Sequence, residues 1–294
     1  MRDLTQVTVM VPVYQHYEYV EQCLCSILAQ KTVFQYQILV HDDASTDGST
    51  EIIRRYSMRY PDRITVIYEM QNQYSQGRSI VQDILLPLAK GKYIAFCEGD
   101  DRWCDEYKLQ RQYDYMESHP ECTLCTHNTY WRETGHPEKN RMFNKWSQIH
   151  RLTQEEIFLQ WPVHASSYFL RKEAAELPVL MKHYWMGDYT VLTWAASQSE
   201  IVSLPEAMSV YHAGNPNGVT WKNTRSGPET ELQKERQRIE YLQLFDRCTG
   251  GRYHRIILKR QRMYARWERS LRAPFFGIFT KEHFLWYNTL VIHP

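Results

Sequence analysis

Apolar positions in the first hundred residues alternate between two patterns. VTVMVPV (7–13) is a continuous β-branched run, and after it Tyr17, Val20, Leu24, Ile27 and Leu28 recur at helical spacing. YQILV (36–40) is a second strand, followed by the polar turn HDDASTDGST and a helix with Ile52, Ile53 and Tyr56 on its buried side. ITVIY (64–68) gives a third strand, Ile80, Ile84 and Leu88 a third helix, and KYIAFC (92–97) a fourth strand. Short apolar strands joined by single amphipathic helices pair in parallel through right-handed crossovers, so the pattern predicts a doubly wound α/β sheet.

In such sheets ligands sit beyond the carboxyl ends of the strands. Each predicted strand ends in polar or acidic residues: Pro12 and Tyr14, then Asp42 and Asp43, then Asn72 to Arg78, then Glu98, Asp100 and Asp101. The turn after the first strand, VPVYQHYE, contains no glycine, which disfavours a dinucleotide-binding site.

Three carboxylates within four positions of FCEGDDRW raise one another's pKa unless a cation neutralises them. Hard oxygen ligands on a short turn suit Mg2+ or Mn2+, which complete their shells with water and phosphate oxygens. The alternative is that these acids cap the following helix or face water. Tyr14 offers a stacking face for a nucleobase and Asp43 an acceptor for base or ribose donors. Asp47 and Ser49 read as turn and helix-cap residues.

Composition narrows the classes. With 294 residues, 43% of them hydrophobic, the chain can bury a large core, and a formal net charge of +1 gives no overall attraction for nucleic acid. Charge is uneven: residues 251–294 hold nine Lys/Arg against two Asp/Glu. Seven scattered cysteines, with nothing ahead of them reading as a secretory signal, predict a reducing cytoplasm and no disulfides. Cys122 and Cys125 lack two further ligands at zinc spacing and read as semi-buried thiols. No apolar run reaches the ~20 residues that cross a bilayer.

In order, VTVMVPVYQHYEYVEQCLCSILAQ, ILVHDDASTDGSTEIIRRY, EMQNQYSQGRS, YIAFCEGDDRW, and HASSYFLRKE followed by GDYTVLTWAA resemble family 2 inverting glycosyltransferases of the GT-A fold, over about residues 5 to 221. The resemblance implies a Rossmann-like, mostly parallel sheet in a catalytic domain over 1–225, with a nucleotide-binding half (1–102) and an acceptor half (103–225). A helical, basic extension follows over 226–294. It implies transfer of a sugar from a nucleotide-diphosphate donor, expected to be a UDP-sugar, to a hydroxyl of a glycan or lipid-linked glycan in surface polysaccharide synthesis.

Carried over by position, Pro12, Val13, Tyr14, Asp43, Arg78, Glu98 and Asp100 are nucleotide contacts. The resemblance implies Asp100, Asp101 and His212 as ligands of Mn2+ or Mg2+, with helix-cap or loop packing as the other reading of His212. Glu98 stands where the family usually has Asp. Asp188 resembles the catalytic base; from local sequence it also reads as a helix N-cap. His164, Ser166 and Ser167 are expected near the acceptor, although a packed histidine is an equal reading of His164. The loop after His212 is expected to close over bound donor.

From Glu229 the chain turns helical and basic, and after Arg272 aromatic. Such a segment either lies on an anionic membrane, giving a peripheral place on the inner face, or packs on the catalytic domain. Two other functions share the acidic pattern. A sugar-nucleotide nucleotidyltransferase would carry a Gly-rich phosphate loop after the first strand, and a non-catalytic nucleotide-sugar-binding protein would be expected to lack Asp188 or the acidic cluster.

Overall fold

A computed structural model describes residues 5–184, 186–213, 215, 218 and 227–272. Strands β1 (Thr5–Val13), β2 (Gln35–Asp42), β3 (Ile64–Tyr68) and β4 (Tyr93–Phe96) pair in parallel in the order β3-β2-β1-β4. Helices α1 (Val20–Leu28) and α2 (Ser49–Arg59) make the first two crossovers. Successive strand residues point to opposite faces, and both faces are covered, which is why the strands read as unbroken apolar runs. Met10, Leu39 and Ile94 enter one core, whereas Val9, Val11, Ile38 and Val40 enter the other, under α1 and α2.

The third crossover departs from the predicted α-helix. Ile80–Leu85 is a π-helical stretch running into the short α3 (Leu86–Leu88). The wider i→i+5 turn shifts the register, and Leu88, expected inside, is 47% exposed.

Beyond β4 the sheet is mixed rather than uniformly parallel. Strand β5 (Arg102–Trp103) is followed by α4 (Lys108–Ser118), then β6 (Cys122–Glu133), β7 (Arg141–Met142), β8 (His150–Arg151) and β9 (Phe169–Arg171). Strand β9 runs antiparallel to both β4 and β6 and fills the gap between them. After α5 (Lys172–Ala175) and α6 (Gly187–Gln198), β10 (Glu200–Ala213) pairs in parallel with β6 and antiparallel with β5. The carboxyl ends of β1, β2, β4, β6 and β10 therefore share one edge.

Helices α7 (Gly227–Cys248) and α8 (His254–Arg272) are not a separate body. Tyr241, Leu242, Phe245, Ile256 and Ile257 join the same core as Met10, each contributing ~1.5–3 kcal/mol of burial. The Tyr241 hydroxyl meets Thr193 Oγ1 of α6 at 2.6 Å. Arg260, 4% exposed, donates to Glu235 at 2.7 and 3.0 Å and to the Phe158 carbonyl at 2.6 Å. Residues 273–294, the aromatic part of the expected membrane segment, lie outside the described residues. No described helix is long and apolar enough to cross a membrane. Cys122 and Cys125 are buried free thiols, the former pushed up to about 12 by loss of solvent.

Candidate active site

The loops after β1 and β2 are built as a pair. Gln15 and Ala44 hold φ of 60° and 62°, a left-handed conformation that costs non-glycine residues energy and gathers at functional sites. They are stitched across: Gln15 N donates to Ser45 Oγ at 3.1 Å, His16 N to Ser49 Oγ at 3.0 Å, and Tyr17 N to Asp47 Oδ2 at 2.9 Å. This holds the Tyr14 ring, 39% exposed, at the sheet edge beside buried Val13 and half-buried Pro12.

Asp43 is buried, and its carboxylate accepts from Gln73 N at 2.6 Å and Tyr74 N at 3.1 Å. It shapes the loop after β3, where Arg78 donates to Gln73 Oε1 at 3.0 Å. Each oxygen retains a lone pair for a ligand donor.

The acidic motif turns beneath these loops on Gly99, where a side chain would require its neighbours to shift. A Cβ there would stand 2.8 Å from both His16 Nδ1 and Val13 Cγ2. Asp100 Oδ2 accepts from Asn215 Nδ2 at 2.9 Å and lies 3.6 Å from His16 Nε2. Asp101 is 2% exposed, and no side chain hydrogen-bonds its buried carboxylate, although the His212 amide lies close enough to oppose its protonation. Loss of solvent, then Asp100 and Glu98, push its carboxyl well up. Partial loss of solvent, then Asp100 and Asp188 close by, also push the Glu98 carboxyl up. Glu98 still opens to solvent at the cleft, so it keeps access to a ligand.

A buried carboxylate with no side-chain donor, crowded by two more acids, fits a divalent cation. No trio of His, Cys, Asp or Glu among the described residues could hold an ion unaided. Mg2+ and Mn2+ need only one or two carboxylates when water and phosphate complete the shell. His212 adjoins the motif, its Nδ1 2.8 Å from the Asp100 carbonyl oxygen and its ring 5.2 Å from that of Tyr19. Burial pushes its imidazole down, toward the neutral form that binds metals. Part of the loop after His212 lies outside the described residues.

His164 lies 3.5 Å from Asp101 Oδ2, and burial pushes it down to about 4, so it is neutral. Ser166 and Ser167 do not reach the cleft, contrary to expectation. Both are wholly buried: Ser166 Oγ bonds His164 Nδ1 at 2.8 Å and Ser209 Oγ at 2.9 Å, and Ser167 Oγ donates to the His164 carbonyl at 2.6 Å. They orient the histidine.

Asp188 starts α6 and accepts from the adjacent Tyr189 N at 2.9 Å. Loss of solvent pushes its carboxyl up to about 6, against those amide donors and Arg238, which lower it. Tyr74 is also pushed up, by burial and then by Glu98 and Asp188, so the third strand's loop, the acidic motif and α6 face one cleft. Sequence reasoning missed His16, Tyr74, Asn215 and Arg238. Only the tyrosine and histidine, sitting at strand ends, carried any signal.

This sheet order, with acids at the carboxyl edge, is the GT-A fold. The chain belongs to glycosyl transferase family 2, whose description it matches over residues 8–177. The uncharacterized protein Rv1520 of Mycobacterium tuberculosis is 32% identical over 201 residues, 67% of this chain and 56% of its own, so the chain spans little more than half of that relative. The putative teichuronic acid biosynthesis glycosyltransferase TuaG of Bacillus subtilis is 33% identical over 110 residues, 37% of this chain and 41% of its own. The S. aureus TarS fragment bound to UDP-GlcNAc superposes with a TM-score of 0.59 at 18% identity, covering 81% of this chain and 66% of that one. The mannosyltransferase PcManGT of Pyrobaculum calidifontis, bound to GDP-Man and Mn2+, gives 0.60 at 16% identity, covering 99% and 84%.

Proposed function

We propose that the chain is a divalent-cation-dependent inverting glycosyltransferase that moves a sugar from a UDP-sugar to a hydroxyl of a glycan or lipid-linked glycan, in surface polysaccharide synthesis. The observation that carries this is Asp101, a buried carboxylate that no side chain hydrogen-bonds and that Asp100 and Glu98 crowd, in the same cleft as a carboxyl raised to about 6 at Asp188.

Tyr14 stacks on the base, Asp43 and Arg78 bind the nucleotide, and Glu98 accepts from it. Asp100, Asp101 and His212 would hold Mn2+ or Mg2+. When bound, the ion neutralises charge developing on the leaving diphosphate. Asp188, ionised at neutral pH, takes the acceptor hydroxyl proton as that oxygen attacks the anomeric carbon opposite the leaving group, which inverts the centre. The names of TarS bound to UDP-GlcNAc and of the E. coli UDP-Glc glucosyltransferase WfaP, 30% identical over 127 residues, favour a uridine donor.

The test is release of nucleotide from a panel of UDP- and GDP-sugars with Mn2+. One donor should be hydrolysed slowly by the parent and not by Asp188→Asn or Asp101→Ala. Nucleotide binding without turnover of any donor, with or without acceptor, would leave a non-catalytic binding protein.

A cytoplasmic location on the inner membrane face is part of this reading. Arg255, Lys259, Arg262, Arg266 and Arg269 are exposed along α8 at alternating spacings of four and three, opposite buried Ile256, Ile257 and Tyr264. Such a stripe suits anionic lipid at ~1 kcal/mol per cation near the surface. Because α8 is built into the core, charge reversal rather than truncation is the clean test. Arg262→Glu with Arg266→Glu should abolish co-sedimentation with anionic vesicles, and unchanged binding would remove the membrane role.

A further inference from the structure

The catalytic base is not completed within the family-matched residues. Asp188 lies beyond position 177, and a cation packed against the residues that flank it comes from α7, fifty positions further on. Arg238 Nε donates to Met186 Sδ at 3.1 Å, and the guanidinium lies 5.6 Å from the Trp161 ring and 5.5 Å from the Tyr189 ring. It thus touches residues on both sides of Asp188. Its other end is fixed: Nη1 donates to Glu235 Oε2 at 2.8 Å, and Glu235 is in turn held by the buried Arg260.

We infer that Arg238 is the positioning residue of the base. Anchored by the Glu235–Arg260 pair, it pins the Met186–Tyr189 turn and so holds the Asp188 carboxylate in place, with a positive charge on that side, where acceptor is deprotonated. The inference rests on the role proposed above for Asp188.

The physical need is visible in what surrounds that carboxyl. Glu98 from the turn after β4, Tyr74 from the loop after β3 and Tyr168 from the approach to β9 all lie close enough for the Asp188 charge to act on them. None is a cation. Loss of solvent drives the carboxyl toward the neutral acid, which cannot accept a proton. Opposing that are the start of α6, through the Tyr189 and Asp188 amides, and Arg238 from α7. A planar fork pinned by one carboxylate bond and one bond to sulfur suits this, since it loses little freedom in holding a fixed direction. The C-terminal helices would then be part of the catalytic apparatus and not only a membrane-facing appendage.

The experiment is a carbon-13 carboxyl titration of Asp188 in the full chain, with the acid limb of donor hydrolysis alongside. The parent should titrate near 6, and Arg238→Gln should move the titration upward, the direction expected on losing a nearby opposite charge. Arg238→Lys should return it toward the parent, and UDP affinity should not change in either. If Arg238→Gln does not fold, Arg238→Met, whose apolar body fills the same space over Trp161 and Tyr189, carries the same expectation. A titration that stays at the parent value in a folded neutral variant, or that moves as far in Arg238→Lys, overturns the inference. The titration needs no turnover, so a shifted carboxyl in a protein that hydrolyses no donor would refute the transferase reading and leave the Arg238–Asp188 pairing standing.

Discussion

His212 Nδ1 donates to the backbone carbonyl of Asp100 across 2.8 Å, tying the end of β10 to the acidic motif 112 positions earlier. That bond fixes the tautomer and leaves Nε2 as the bare nitrogen, the arrangement by which histidine ligands are oriented. His212→Ala is expected to lower Mn2+ affinity, measured calorimetrically with UDP present, by 10–100-fold. Equal affinities would remove His212 from the cation site.

Acid–base behaviour should follow Asp188. Its carboxyl, raised to about 6, is the active base only when ionised, so donor turnover should rise as pH passes upward through about 6. Asp188→Asn should cost ~10²–10⁴-fold in turnover while leaving UDP affinity intact. A rate that is flat from pH 5 to 8 contradicts the assignment.

Asp101 is expected to weaken the metal-free fold. Its folded pKa lies well above the unfolded value, so the unfolded chain releases its proton first and stability falls as pH rises from about 4 toward the folded pKa. Asp101→Asn should therefore raise the melting temperature in chelator at pH 7 by ~2–4 °C, the shift that corresponds to ~1 kcal/mol in a chain of this size. Adding Mn2+ and UDP should stabilise the parent and not the variant.

Gly99→Ala tests the turn. The added methyl would meet His16 Nδ1 and Val13 Cγ2 at 2.8 Å, so one loop must move. Overpacking of this kind costs ~1–3 kcal/mol. Thermal unfolding should show that loss together with reduced Mn2+ binding, because the same turn carries Asp100 and Asp101.

Buried Lys108 has the opposite sign from a surface lysine. Loss of solvent pushes it down to about 7, so between about pH 7 and 10 the unfolded chain holds the extra proton and stability rises with pH. Lys108→Met should flatten that slope in urea unfolding measured at pH 7 and pH 9. An unchanged slope would mean that the ammonium is not desolvated.

The four leading strands, their crossovers and the acids at their ends were legible because each depends on a short window. Val9, Met10 and Val11 are apolar in succession since both sheet faces are covered, and a run of that kind announces itself. The direction of β9 was not legible: FLR is apolar enough to be a strand but carries no mark of which neighbours it runs against. The same holds for Ser166 and Ser167. Two hydroxyls before a strand look available, and only the contact with Ser209, 43 positions later, shows that Ser166 is spent.

What the chain dictated unaided was the alternation of strand and helix and the placing of carboxylates, tyrosine and histidine at strand ends, since hydrophobic period and turn chemistry act between near neighbours. What the tertiary structure decided was which of those groups are buried, paired or left over: Asp101 buried with no side-chain donor, Asp43 bonded to the loop after β3, and Asp188 flanked by residues that an arginine from α7 holds. Those outcomes depend on loss of water and on partners tens of positions away, and neither quantity is written in any local stretch of sequence.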